Sequence, residues 1–69
     1  MKQVSEMPTS GQFVAVWQVN SEPHGYKMLW EDEYLYEVNE STEELYEVFD
    51  VDSLIKYHKE NIAQYFIAD

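Results

Sequence analysis

The chain contains no cysteine, no arginine, and only two glycines and two prolines. Without Cys there is no disulfide to staple so short a chain, and no thiolate to serve as nucleophile or metal ligand. Without Arg there is no planar fork for bidentate recognition of phosphate or carboxylate. The only cations are Lys2, Lys27, Lys56 and Lys59, against fourteen carboxylates, for a formal charge of −10. Such a balance argues against direct binding of nucleic acid or of an anionic membrane, both of which need clustered basic side chains. No apolar run approaches the roughly eighteen residues that a membrane-spanning helix needs. The opening MKQVSEMPTSG lacks the apolar stretch of a secretory signal, which predicts a protein that stays in the cytoplasm.

What the sequence does have is aromatic weight and acid. Two Trp, six Tyr and three Phe stand in 69 residues. A chain of this length makes one domain, 1–69, near the lower size limit for a single apolar core, so these rings must supply much of the burial. The acids are concentrated between Glu31 and Asp52. Glu31, Asp32, Glu33, Glu37, Glu40, Glu43, Glu44, Glu47, Asp50 and Asp52 are ten of the fourteen, with no Lys or Arg among them. Tyr34, Leu35, Tyr36, Val38, Leu45, Tyr46, Val48 and Phe49 are threaded between them. Residues of that kind need a core or a partner, so the charge is predicted to sit on a folded surface rather than on a disordered tail.

Residues 1–11, with Pro8, Thr9, Ser10 and Gly11, read as an extended lead-in closed by a turn. Residues 12–19 (QFVAVWQV) are rich in β-branched and aromatic residues and apolar on both faces, the pattern of a central strand. Residues 20–25, from Asn20 to Gly25 and including Pro23, have the chemistry of a polar connection. Tyr26–Trp30 and Glu33–Val38 then form two strands around a tip at Glu31 and Asp32, although the favoured Asn-Gly or Asp-Gly pair is missing. The segment 39–52 reads two ways. Ser41 with Glu44 matches a helix capping box, but Leu45–Val51 has the composition of a fourth strand, which is the preferred reading. Asp52 or Ser53 then caps a helix over Leu54–Glu60. The end is open: the helix continues to Phe66, or it stops at Asn61 and Ile62–Ala68 is a strand. The expected fold is α+β and mainly β: a small antiparallel sheet or barrel-like domain of four to five strands, with one short helix near 52–60. Its core should hold Phe13, Val14, Val16, Trp17, Met28, Trp30, Leu35, Val48, Leu54 and Ile55.

The opening Val4–Trp17, VSEMPTSGQFVAVW, resembles the start of a family of small phage and prophage proteins of unknown function. That family opens on Val-Ser-Glu-x-Leu-Pro, followed by Gly-Gln and an apolar strand that ends in an aromatic. Met7 stands where the family has Leu, and the family's closing aromatic segment is echoed by Gln64, Tyr65 and Phe66. The resemblance implies a mainly β fold, a phage-type origin and a terminal strand; it carries no catalytic residue.

Catalysis finds little support in the residues. A pair of carboxylates for acid and base work arises by chance in so acidic a chain, and there is little room for a cleft that buries a substrate. The serines at 5, 10, 21, 41 and 53 fall at turns or caps without a nucleophile-elbow pattern. Asp50 and Asp52 share the first spacing of a calcium loop, but its central Gly and closing Glu are absent. His24 sits in a Pro-Gly turn, and His58 fits the edge of the core or the C-terminal end of a helix. No catalytic, metal or cofactor residue is expected. The expected function is that of a non-enzymatic acidic module that binds a basic host protein at its nucleic-acid site. The contacting residues would be Glu31, Asp32, Glu33, Tyr34, Tyr36, Glu37, Glu40, Glu43, Glu44, Tyr46, Glu47, Asp50 and Asp52. The alternative is a small assembly protein, a homo-oligomer joined through exposed aromatics.

Overall fold

The computed structural model describes residues Met1–Asp69. Six strands and one helix follow in the order β1 Lys2–Val4, β2 Gly11–Val19, β3 Glu22–Glu31, β4 Tyr34–Val38, β5 Leu45–Glu47, α1 Val51–Glu60 and β6 Gln64–Ile67. All strand pairs are antiparallel, in one open sheet of order β1-β6-β2-β3-β4-β5. Strands β2 to β5 form a meander. Helix α1 then carries the chain back from the β5 edge, so that β6 can pair with the free side of β2. The lead-in is more than extended chain, since its first residues form β1 on β6.

The segment 20–25 is not a loop. Only Asn20 and Ser21 turn, at φ of 53° and 66°, and β3 starts at Glu22. Two positive φ values in a two-residue connection match the right-handed twist of the flanking strands. Pro23 is tolerated because it opposes Gln18 one step beyond the closing pair Val19↔Glu22. In the antiparallel alternation this is a non-hydrogen-bonded position, so the missing N–H would point away from β2. It faces an open edge, because β4 reaches only Met28–Glu31 of β3. The second hairpin turns on Asp32 and Glu33, at φ of 51° and 70°, without the glycine such a turn favours.

Opposed residues in an antiparallel pair project from the same side of the sheet. Phe13 opposes Met28, Ala15 opposes both Tyr26 and Tyr65, and Trp30 opposes Leu35. Phe13, Ala15, Met28, Leu35 and Tyr65 form the core, with Val51 and Leu54 of α1, Val48, and Met7 of the lead-in packed against it. The Trp30 indole N–H donates to the Pro8 carbonyl at 2.8 Å, strapping the lead-in down. The core differs from expectation because the chain has one helix and covers one face. Val14 and Val16 point to the other side and are half-buried, as are Trp17, Trp30, Val48, Leu54 and Ile55 at the margins. Ala15, His58 and Tyr65 are buried in their place, and Val38 is buried apart from that cluster.

The helix begins earlier than the sequence suggests. Asp50 is its N-cap: one carboxylate oxygen accepts from the Ser53 N–H at 3.0 Å and the other from the Ser53 hydroxyl at 2.7 Å. The fourth strand is correspondingly cut to Leu45–Glu47. The helix stops at Glu60, with Asn61 as C-cap. Ile62 N–H donates to the Lys59 carbonyl and Ala63 N–H to the His58 carbonyl, closing the turn with Ile62 at φ 53°. This is a Schellman arrangement, and it releases the chain into β6.

His58 is 1 % exposed, and its Nδ1 lies 2.8 Å from the Tyr65 hydroxyl, which has no other partner. The two side chains share this one hydrogen bond, the hydroxyl or the imidazole N–H donating according to the imidazole tautomer. Burial holds the His58 pKa below its ordinary 6.5. Below about pH 6.5 the unfolded chain thus binds a proton that the fold refuses, so stability is full above that pH and falls as the pH drops. Urea midpoints should decline from pH 7.5 to 5.5. His58→Gln, which does not titrate, should lose that decline; an equal decline in both proteins would acquit His58.

Candidate acidic interface

The acid run spans the β3–β4 turn, β4, the loop 39–44, β5 and the start of α1, and it lies toward the β5 edge of the sheet. Meander topology is local, so acids that are neighbours in sequence stay neighbours in space. Glu31 ends β3, Asp32 and Glu33 form the turn, and Glu37 lies on β4 opposite Tyr46. Glu33 belongs to the turn rather than to the strand. Tyr36 opposes Glu47 and is half-buried. Its hydroxyl pKa is raised by desolvation first and then by the negative charges of Glu47, Glu31 and Asp32, which places β5 and the turn within one field.

The loop 39–44 is not the helix that its capping-box pattern allowed. Asn39 organises it instead: its side-chain oxygen accepts from the N–H groups of Ser41 and Thr42 at 2.9 and 3.1 Å. Its backbone closes the loop through Asn39 N–H to the Glu44 carbonyl and Glu43 N–H to the Asn39 carbonyl. Glu40, Glu43 and Glu44 are therefore presented from a fixed backbone, Glu43 at φ 64°. The Tyr46 hydroxyl donates to Glu44 at 2.7 Å, and this hydrogen bond raises its pKa. Asp50 is committed to capping, which lowers its pKa, and Asp52 stands in the first helical turn, where a negative charge is favoured. Both remain exposed.

None of these ten carboxylates meets a cation. The one ion pair joins the N-terminal amine to Asp69 at 3.3 Å. Lys2 lies on the opposite edge strand, Lys27 on β3, and Lys56 and Lys59 on α1 beyond its first turn. Of the thirteen expected contact residues, only Tyr36 and Glu47 are half-buried and the rest are exposed. Leu45, Tyr34, Tyr46 and Phe49 add apolar surface here, at 43, 55, 51 and 87 % exposure. Leu45 and Phe49 were expected to need a core or a partner but were not counted among the contact residues. The signal for Phe49 was its place before an Asp-x-x-Ser cap, where a side chain either staples onto the first turn or is left outside.

A second feature lies at the other end of α1, where Met7, Ile55, His58, Lys59 and Ile62 line a pocket of about 330 Å³. His58 cannot serve there as a base, because Nδ1 is taken by Tyr65 and Nε2 is shielded from solvent. No helix is long and apolar enough to cross a membrane. No protein-family model, curated protein or solved structure matches the chain.

Proposed function

We propose that the protein is a non-enzymatic binding module whose β4–β5 edge occupies the basic, nucleic-acid-binding surface of a partner protein. The observation that carries this reading is the row of exposed, unpaired carboxylates on an ordered backbone. A surface tuned only for solubility intersperses both signs, whereas a groove built for phosphate accepts an array of one sign. The field steers encounter, and the tyrosines among the acids supply contact once the charges have met. With the phage-type origin implied by its opening residues, the module would be an inhibitor made in the cytoplasm of a bacterial host. Restriction or CRISPR nucleases, RNA polymerase subunits and DNA-binding regulators are the partner classes with the required basic grooves.

The test is to immobilise the protein, pass bacterial lysate over it at low salt, and elute with duplex DNA and then with rising salt. A discrete basic protein released by DNA is the expected result. Retention that ignores both DNA and salt would reject the mechanism.

A second reading is favoured by the uncovered face of the sheet, where Val14, Val16, Leu29 and Phe66 are half-exposed. Self-association over that face would make the protein an assembly module, with the acids keeping the oligomer in solution. Sedimentation across concentrations separates the two, because only an assembly module gains mass without a partner.

A further inference from the structure

Phe49 is the most exposed large apolar side chain of the molecule, at 87 %. Its backbone, however, is pinned on both sides. On one side Val48 N–H donates to the Leu35 carbonyl at 2.8 Å, and Val48 packs against the core. On the other, Asp50 is locked onto Ser53 as the helix cap. The ordinary fate of a hydrophobic residue just before an N-cap is to fold back onto the first turn, and Phe49 does not. The ring is therefore exposed to water on a backbone that is fixed on both sides.

Its surroundings in the chain are equally one-sided. Glu47 and Asp50 flank it, Asp52 follows in the helix, and Leu45 and Tyr46 offer further exposed carbon on the adjacent edge strand. A phenyl ring on a fixed backbone has only two side-chain torsions to lose on binding, and buried aromatic anchors carry most of the affinity of protein interfaces.

We infer that Phe49 is the anchor of the interface, and that the partner offers an amphipathic basic surface: an apolar socket for the ring, bordered by Lys or Arg side chains that meet Glu47, Asp50 and Asp52. The inference rests on the acidic-edge reading and narrows it, since a bare phosphate groove has no use for a phenyl ring. The partner's selectivity then comes from the socket and its attraction from the charges.

Two synthetic peptides of equal length and charge test this, one of lysine and leucine and one of lysine and serine, titrated calorimetrically against the full chain. The lysine–leucine peptide should bind at least about tenfold more tightly, the scale expected for burying one phenyl ring. Phe49→Ser, which removes an exposed side chain and leaves the cap intact, should abolish that preference while leaving the lysine–serine affinity unchanged. Reversal of Glu43 and Glu44 to lysine should weaken both peptides together. Equal binding of the two peptides, or a preference that survives Phe49→Ser, overturns the anchor and leaves the charged edge standing. Affinities that ignore the charge reversal overturn the acidic-edge reading on which the anchor rests.

Discussion

Reversal of Glu33, Glu37, Glu43 and Glu44 to lysine is expected to weaken binding of the basic partner by about a hundredfold or more, because each exchange replaces an attraction by a like-charge contact. Each also adds two charges, so the formal charge rises from −10 to −2. The four positions were chosen for their placement. All are exposed, none caps the helix, and none is the carboxylate that accepts the hydrogen bond from Tyr46 except Glu44, whose loss frees one exposed hydroxyl. The fold should not suffer. Relief of repulsion along the edge should hold the melting temperature or raise it, so a loss of binding cannot be laid to unfolding. The matching glutamine variant should fall between the wild type and the lysine variant, and the salt dependence of binding should flatten in the same order. Undiminished affinity in the lysine variant would remove the acidic edge from the interface.

The parts of the molecule that can be read from the sequence are those set by local patterns. The acidic edge was legible because it is contiguous in the chain and the meander keeps it contiguous in space. Strands β2 and β4 and the hairpin between β3 and β4 were legible because their patterns are local, although the tip falls at Asp32 and Glu33, one residue later than expected. The first half of β3 was hidden, since Pro23, His24 and Gly25 carry the composition of a loop. They fit in a strand only because β4 is too short to cover that edge, a fact about the neighbour rather than about the segment. The two readings of the chain end were decided by Asn61, which stops the helix where it can still bond back to it: its side-chain N–H donates to the Tyr57 carbonyl at 2.8 Å. The helix start was misplaced because Asp50, Asp52 and Ser53 all have the chemistry of a cap, and the choice falls on the residue that can reach Ser53 from outside. The core could not be apportioned without knowing which face of β2 would receive the single helix. Phe49 was not counted among the contact residues for a related reason, because a staple either closes or stays open according to the direction in which the chain enters the helix.

That division of β2 into a covered and an uncovered face sets up the largest stability effect in the molecule. Phe13 is 1 % exposed, opposes Met28, and meets the Tyr65 ring edge-on at 6.2 Å between centroids. Truncating a buried Phe to Ala costs about 3–5 kcal/mol. At roughly 0.05–0.15 kcal/mol per residue, a chain of this size has on the order of 3–10 kcal/mol to lose. Phe13→Ala is therefore expected to leave the domain largely unfolded at physiological temperature, or to lower its melting temperature by at least about 12 °C. Val14→Ala, one residue along the same strand, removes carbon from the half-buried face and should cost less than about 1.5 kcal/mol. Thermal melts of the two variants at low protein concentration measure the contrast. Should Val14→Ala prove as damaging as Phe13→Ala, the outer face must be covered in solution, and only a second copy is present to cover it. The cost would then shrink on dilution in step with the wild-type melting temperature, and self-association would displace partner binding as the role of that face. A small cost, independent of concentration, leaves the outer face bare and removes the support for self-association over it.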